Sequence, residues 1–387
     1  MDTFLGFNRS DGSVGTRNFI AVIPTVFCAN EVAAEIAGGF PLCRPLLHSK
    51  GCGQLKPDLR IITRTLIGLG INPNVGGVLL VGLGCEAVDI EEVYGSIRER
   101  GRIAEKIVIH QEGGMDRTVR AGRERVERLL EKIGKEARTP QGMENIRLGV
   151  KCGSSDATSG IAANPAAGKA VDLLLEKGGT VFFGETTEFI GAEHILARRG
   201  DGEAVRKSIL DIVARMEERV RQVGVDLRGT QPSPGNIAGG LTTIEEKSLG
   251  AISKSGSHPI TGVLEYGEGT ERRGLFIMDS PGKEDDFLTG VAAAGANVIV
   301  FTSGGGAPQG FPLVPVIKVA SNPEKVGPMA QHIDVDASAI IEGKGSIPEV
   351  GRSIIERILR VASGEVVAAE KNRYDRTIGI CTLGPTV

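Results

Sequence analysis

The feature that most restricts the fold is a regular alternation of short apolar runs with longer amphipathic segments. Phe19–Ile23 and Val78–Val81 are uninterrupted apolar runs, the mark of strands covered on both faces. Helical spacing of apolar residues marks about Glu31 to Ala37, Asp58 to Leu69, Glu91 to Arg100 and Met115 to about Glu136. Further strands are expected near Pro45–His48 and Ile107–Ile109. Past Asn145 the alternation resumes, with strands around Ile146–Val150, Thr180–Phe183, Gly274–Met278 and Val298–Phe301. Helices are expected over Glu203–Val223, Thr243–Lys254 and Val350–Ala362. Such a pattern predicts an α/β, Rossmann-like architecture: parallel sheets with helices on both faces. At 387 residues the chain is too long for one simple core. The charged segment Gly134–Asn145, which holds a Pro and a Gly, is the predicted boundary. Two α/β domains are therefore expected, over residues 1–138 and 145–387. The opening GFNRSDGSVGTRN reads as a Gly- and Asp-rich loop.

Composition removes several classes of function. The net charge is −3, with acidic and basic residues mixed along the chain, so no nucleic acid partner is expected. No run reaches the ~18 apolar residues of a membrane span. The amino terminus lacks a basic segment followed by an apolar one, and the expected location is the cytoplasm. The 55 glycines are roughly twice the ordinary share, and their spread beside apolar runs points to many tight loops. The six cysteines (28, 43, 52, 85, 152 and 381) are not spaced as a disulfide framework and are expected to be reduced.

In an open parallel sheet, ligands bind at the carboxyl ends of the strands. The loops expected there are dense in polar groups: TVFCAN, HSKGCGQ, GLGCE, GETTEFIGAEH, DSPG and TSGGGAPQG. Lys151–Pro165, KCGSSDATSGIAANP, is the densest, with Asn164-Pro165 read as an N-cap and first helical proline. Cys28, Cys52, Cys85 and Cys152 all follow predicted strands. Taken singly, each reads as a small buried hydrophobe; four at equivalent positions point to ligation. No C-x-x-C pair occurs, which argues against a structural zinc knuckle. His48, Cys52, Cys85, Glu86 and Cys152 make a donor set of mixed softness, suited to Fe(II) or Mn(II). An iron–sulfur cluster on three thiolates is a lesser alternative, because the spacings do not demand one. Glu185 and Glu188 follow a strand as candidate ligands or hydrogen-bond acceptors. TSGGGAPQG offers backbone N–H groups to an anion, without the ending of a P-loop. Arg17 could clamp a carboxylate.

Together, DGSVGTRN, TVFCAN, HSKGCGQ, VGLGCE, CGSSDATSGIAANPAAGKAVD, GETTEFIGAEH, PSPGNIAGGLTTIEEKSLGA and MDSPG resemble the large catalytic region of the altronate/galactarate dehydratase family. The resemblance spans nearly the whole chain. It implies a metal-dependent (Fe or Mn) hydro-lyase that dehydrates a sugar acid such as altronate or galactarate to a 2-keto-3-deoxy acid. The (2R)-sulfolactate sulfo-lyase large subunit is similar over the same span, so release of sulfite and pyruvate is an alternative. A non-catalytic sugar-acid-binding scaffold is a third. Single-chain dehydratases of the family carry a small domain ahead of this region, whereas this chain begins at the DGSVGTRN motif. A split enzyme is expected, with a separate small subunit, in a homo- or hetero-oligomer. The loop CGSSDATSG has Ser and Ala-Thr where the family pattern has Gly and a Gly-aromatic pair, which leaves the substrate open. With this chemistry implied, the metal shell is drawn from His48, Cys52, Cys85, Glu86 and Cys152. Asp156 and Glu185, with Glu188 beside them, are candidates for acid and base. Arg17, or the glycine loop Ser303, Gly304 and Gly305, would hold the distal anion, and Asn18, Ser154 and Ser155 complete the substrate contacts.

Overall fold

The computed structural model describes residues 2–376 and 378–387; Met1 and Thr377, which the expected domain ranges include, lie outside them. In chain order the strands are β1 (Thr3–Asn8), β2 (Val14–Gly15), β3 (Phe19–Pro24), β4 (Cys43–Pro45), β5 (Val75–Gly82), β6 (Ile103–Val108) and β7 (Thr139–Gly142). They continue with β8 (Arg147–Gly153), β9 (Thr180–Phe183), β10 (Ile260–Leu264), β11 (Gly274–Met278), β12 (Val298–Ser303), β13 (Val316–Ala320) and β14 (Val335–Asp336). Among the described residues, β3–β6 form a parallel sheet in the order β4-β3-β5-β6. A seven-stranded parallel sheet runs β10-β11-β9-β8-β12-β13-β14. The chain is thus α/β, with two parallel sheets as expected.

Two segments depart from the sequence reading. The opening loop takes in the end of β1 and all of β2, and Gly134–Asn145 contains β7, which pairs antiparallel with β1. The predicted boundary is therefore partly a strand that ties residues 3–6 to residues 139–142. Its TPQG sequence carries no alternation, and its proline is tolerated because β7 lies at an edge. The strand expected at Pro45–His48 sits slightly earlier, at Cys43–Pro45.

Every residue of β3 and β5 is buried, and the two faces of their sheet pack differently. Ile20, Val22, Leu79 and Val81 meet Ala33, Ile36, Val126 and Leu129 from the helices Asn30–Ala37 and Met115–Ile133. On the opposite face, Ala21, Ile23, Val78 and Leu80 meet Ile62 and Leu66 of the helix Lys56–Gly70. That second core is continuous with Phe182, Phe276, Phe287 and Val291 of the larger sheet and its helix Glu284–Ala293. Each of these large apolar side chains contributes about 1.5–3 kcal/mol by leaving water, so the two sheets share one core.

The helices Lys56–Gly70 and Glu284–Ala293 set the relative direction of the sheets. Their carboxyl ends meet: a Cβ on Gly68 would lie 2.4 Å from the Ala293 carbonyl oxygen, so only glycine fits. Just beyond, Asn72 Nδ2 donates to Ala292 O (2.7 Å) and Ala296 O (2.9 Å). Further back, the C-terminal segment bonds to the middle of Glu284–Ala293 and to the first turn of Lys56–Gly70. Gly379 N–H donates to Thr289 Oγ1 (3.2 Å), and Leu383 and Gly384 donate to Asp58 (2.6 and 2.9 Å). The helices run in the same direction, so the carboxyl edges of both sheets face one side. Among the described residues, no helix is long and apolar enough to cross a membrane.

Candidate active site

In the seven-stranded sheet, β8 lies between β9 and β12. The chain leaves β8 toward β9 on one side and later returns at β12 on the other. This is the switch point at which open α/β sheets form a crevice. A polar cavity of about 770 Å³ opens there, lined by Cys152, Ser154, Asp156, Glu188, Lys247 and Asn322 among others.

At its floor is a buried charge cluster. The Cys152 thiol donates to Glu188 Oε2 at 2.8 Å. Lys254 Nζ stands 3.0 Å from Cys152 Sγ, 2.8 Å from Glu185 Oε2 and 3.4 Å from Glu188 Oε2. Glu185 also accepts from Lys151 Nζ and, at 3.0 Å, from the Cys152 N–H. Lys247 Nζ approaches Glu188 Oε1 at 3.7 Å. Burial, Glu185 and Glu188 push the Cys152 thiol well above its ordinary pKa, against Lys254 and Lys151. Burial works against the Glu188 charge too, but Lys254, Lys247 and Lys151 outweigh it and hold the carboxyl below its usual range. Burial likewise opposes the Lys254 charge, and Cys152, Glu185 and Glu188 outweigh it, raising the amine.

Local backbone geometry presents these groups. Ser154 and Glu185 adopt left-handed φ of 47° and 72°, a conformation that costs a non-glycine residue of order 1–3 kcal/mol and clusters at functional sites. The helix Asn164–Glu176 is preceded by a π-helical turn, Ser159–Ala163, another frequent mark of such sites. Asn164 is consequently already helical and is no N-cap. Its side chain instead donates to Gly250 O at 3.0 Å and accepts from Thr302 Oγ1.

The structure distributes the sequence candidates unevenly. Cys152, Ser154, Ser155, Asp156, Glu188 and Gly305 line the cavity. Asp156 accepts from Thr158 Oγ1 (2.7 Å), Ser159 N–H (2.9 Å) and Asn322 Nδ2 (2.9 Å). Gly304 passes so near it that a Cβ would lie 2.0 Å from Asp156 Oδ1. Glu185 is fully buried behind Cys152, with its oxygens taken by two lysines and a backbone N–H. It positions its neighbours and is not itself on the cavity wall.

Several expectations are corrected. Ser303, Gly304 and Gly305 form no open anion cradle: Gly304 and Gly305 donate to Ser154 O, and Gly306 donates to Ser303 Oγ. Arg17 is buried in an ion pair with Glu370 and bonds the carbonyls of Thr16, Val361 and Glu365. Asn18 bonds Arg9 and the Ile133 carbonyl. His48, Cys52, Cys85 and Glu86 stand at the edge of the other sheet, and they do not gather with Cys152. Both ring nitrogens of His48 are engaged: Nε2 donates to Pro24 O at 2.7 Å, and Nδ1 accepts from Lys50 N–H at 3.1 Å. Glu86 accepts from Thr25 Oγ1 and the Gly84 N–H. Cys52 and Cys85 are exposed.

Three lysines were missed. Lys151 carried a signal, an ionisable residue inside the apolar run of β8 that is 1% exposed. Lys254 and Lys247 lie about a hundred residues downstream, and nothing local marks them as partners of Cys152.

Among the described residues, only Cys152, Glu185 and Glu188 bring three His, Cys, Asp or Glu donor atoms within 4.8 Å of one another. One sulfur and two carboxylate oxygens could hold a metal ion of intermediate hardness. The Lys254 ammonium sits among the same donors, so an ion would share or take its position.

Comparisons with known proteins give the family. The description "D-galactarate/Altronate dehydratase, C-terminal" matches residues 143–386, and "D-galactarate dehydratase/Altronate hydrolase, second domain" matches residues 6–134. The chain is 38% identical to (2R)-sulfolactate sulfo-lyase subunit beta of Chromohalobacter salexigens, over 95% of this chain and 94% of that one. It is 34% identical to altronate dehydratase of Bacillus subtilis, over 100% of this chain and 78% of the relative. It is 35% identical to galactarate dehydratase (L-threo-forming) of Escherichia coli, over 94% of this chain and 73% of the relative. These relatives are all named for eliminations, and with matches running from one end of the chain to the other it belongs among them, as a lyase of the D-galactarate/altronate dehydratase family.

Proposed function

We propose that the chain catalyses β-elimination from a 2-hydroxy acid, dehydrating a sugar acid such as altronate or galactarate to a 2-keto-3-deoxy acid. The observation that carries this reading is the contact of Cys152, Glu188 and Lys254 at the floor of a polar switch-point cavity. A proton α to a carboxylate is weakly acidic, so its removal needs a base and a means of stabilising the enolate. Asp156 is the base: its carboxylate lines the cavity and is oriented by Thr158, Ser159 and Asn322. Lys247, on the wall beside Glu188, binds the substrate carboxylate and protonates the departing hydroxide. Lys283 and Lys325 draw the remaining anionic end into the cavity. Fe(II) or Mn(II) held by Cys152, Glu185 and Glu188 would supply Lewis-acid stabilisation of the enolate. Lys254, Lys247 and Lys151 keep Glu188 ionised, and Lys254 and Lys151 hold Glu185 against Cys152. The chain acts as the large subunit of a split enzyme beside a separate small one, a reading supported by a relative that is itself named a subunit.

A second reading is favoured by one observation. The chain is 38% identical to the sulfolactate sulfo-lyase subunit, against 34–35% for these two dehydratases. Under it, the same site expels sulfite from the β-carbon, a leaving group that needs no proton from Lys247. One assay separates the two: the chain, with its small subunit and Fe(II) or Mn(II), is offered hexonates, aldarates and sulfolactate. A 2-keto-3-deoxy acid supports the first reading, and sulfite with pyruvate supports the second. Inactivity toward all of them overturns both and leaves a binding scaffold.

A further inference from the structure

We propose that Cys28, Cys52 and Cys85 hold an iron–sulfur cluster at the carboxyl edge of the four-stranded sheet, a site separate from the Cys152 group. Free cysteine is among the most buried of residue types. Here Cys28, Cys52 and Cys85 are all exposed, while Cys43 and Cys152 are buried. The three do not fill space in a core, so packing does not account for them.

Their placement is collective. Cys28 follows β3, Cys52 follows β4 and Cys85 follows β5, which are the three adjoining strands at one end of the sheet order β4-β3-β5-β6. The three loops are also bonded to one another. The Phe27 N–H donates to Lys50 O (2.9 Å), and the Ala87 N–H donates to Gly51 O (3.0 Å). Thr25 Oγ1 donates to Glu86 Oε1 (2.7 Å). Gly51 has a φ of 103°, and a Cβ there would lie 2.3 Å from Thr25 O, so the loop carrying Cys52 is pressed against the one leading to Cys28. Three exposed cysteines thereby sit on loops that are bonded to one another.

The chemistry of the donors selects the ligand. Ligands around one zinc-like ion at about 2.3 Å from sulfur are about 3.8 Å apart. Among the described residues, no trio of donors at this edge lies within 4.8 Å of one another, so a single ion is not gathered. A cluster spreads its thiolate ligands over several irons and suits donors on separate loops. His48 and Glu86 are occupied by internal hydrogen bonds and offer no competing mononuclear set. Four-iron clusters ordinarily take four cysteines; three would leave one iron open to an exogenous ligand. Because both carboxyl edges face one side, this site and the Cys152 cavity share a face of the molecule.

The inference does not depend on the proposed elimination, and its test does not use activity. The full chain is purified anaerobically, reconstituted with Fe(II) and sulfide, and desalted. The expected result is bound iron and acid-labile sulfide in equal amounts, a broad visible absorption band and an EPR signal in one redox state. Cys28→Ser, Cys52→Ser and Cys85→Ser should each lose the sulfide and the band, while Cys43→Ser and Cys152→Ser keep them. These three positions are exposed, so far-UV circular dichroism should be unchanged. Absence of labile sulfide after reconstitution, binding of zinc or iron without sulfide, or a cluster that survives all three substitutions would overturn the proposal.

Discussion

The thiol of Cys152 lies 2.8 Å from Glu188 Oε2, a contact sealed from solvent on every side except the cavity. A neutral donor and a charged acceptor are held together there because burial keeps the proton on sulfur, while the lysines behind keep it off the carboxyl.

Lys254 is the group on which that balance rests. Lys254→Met keeps the volume and removes the ammonium from between two buried carboxylates. Removing one partner of a buried ion pair costs about 3–5 kcal/mol, to be read as a lowered urea midpoint. If Cys152, Glu185 and Glu188 bind a divalent ion, the variant should also bind Fe(II) or Mn(II) more tightly by titration calorimetry, since the ammonium no longer competes. Weaker binding in the variant would count against that trio as the metal site.

Asp156→Asn preserves the shape and can still accept from Ser159 and Thr158. Loss of a general base lowers kcat by about 10²–10⁴-fold, with the melting curve little changed. Gly304→Ala should reproduce part of that defect, because the new Cβ would occupy the place of the Asp156 carboxylate. A wild-type kcat for Asp156→Asn would remove it from the mechanism.

Arg17 serves architecture. Arg17→Ala breaks the ion pair with Glu370 and strands three carbonyls, with an expected loss of about 3–5 kcal/mol in stability. KM of the folded fraction should not change. A raised KM with normal stability would restore Arg17 as the substrate clamp.

His48 makes stability depend on pH. Burial lowers its imidazole to about 4, against a smaller rise from Pro24 O. The folded chain therefore refuses a proton that the unfolded chain binds below about 6.5. Its contribution is complete above that value and is lost as the pH falls toward 4, by at most about 1.4 kcal/mol per unit. Urea midpoints at pH 7 and pH 5 should differ, and His48→Gln should narrow the difference. No narrowing would mean that other groups set the acid limit.

The thiols should divide by reactivity. After reduction and metal removal, Cys28, Cys52 and Cys85 should be alkylated rapidly at neutral pH. Cys43, whose thiol burial pushes up to about 12, and Cys152 should react only on unfolding. Raised folded thiol values also mean stability that is whole below about 8.5 and declines as the pH rises past it. Peptide mapping after timed labelling checks the order; rapid labelling of Cys152 would show that its site is open.

The parallel-sheet architecture was legible because strands covered on both faces have to be continuous apolar runs, as in Phe19–Ile23 and Val298–Phe301. The antiparallel β1–β7 pair was not, since TPQG at an edge needs neither alternation nor branched residues. The motif Lys151–Asp156 stood out as a candidate site because polar residues crowd a strand end. Arg17, in an equally polar motif, proved to be a brace.

By itself, the sequence determined the strand–helix order, the ends of strands at which ligands are met, and the family. Those depend on neighbours within a few residues, where periodicity and loop chemistry are decisive. Only the tertiary structure decided that Lys254 is inserted between Cys152, Glu185 and Glu188, and that His48 turns inward while Cys28, Cys52 and Cys85 face solvent. Such choices depend on which strand lies beside which and on two helices packing in the same direction. Sequence distance does not encode that proximity, and buried charge can be balanced only by groups the fold brings into contact.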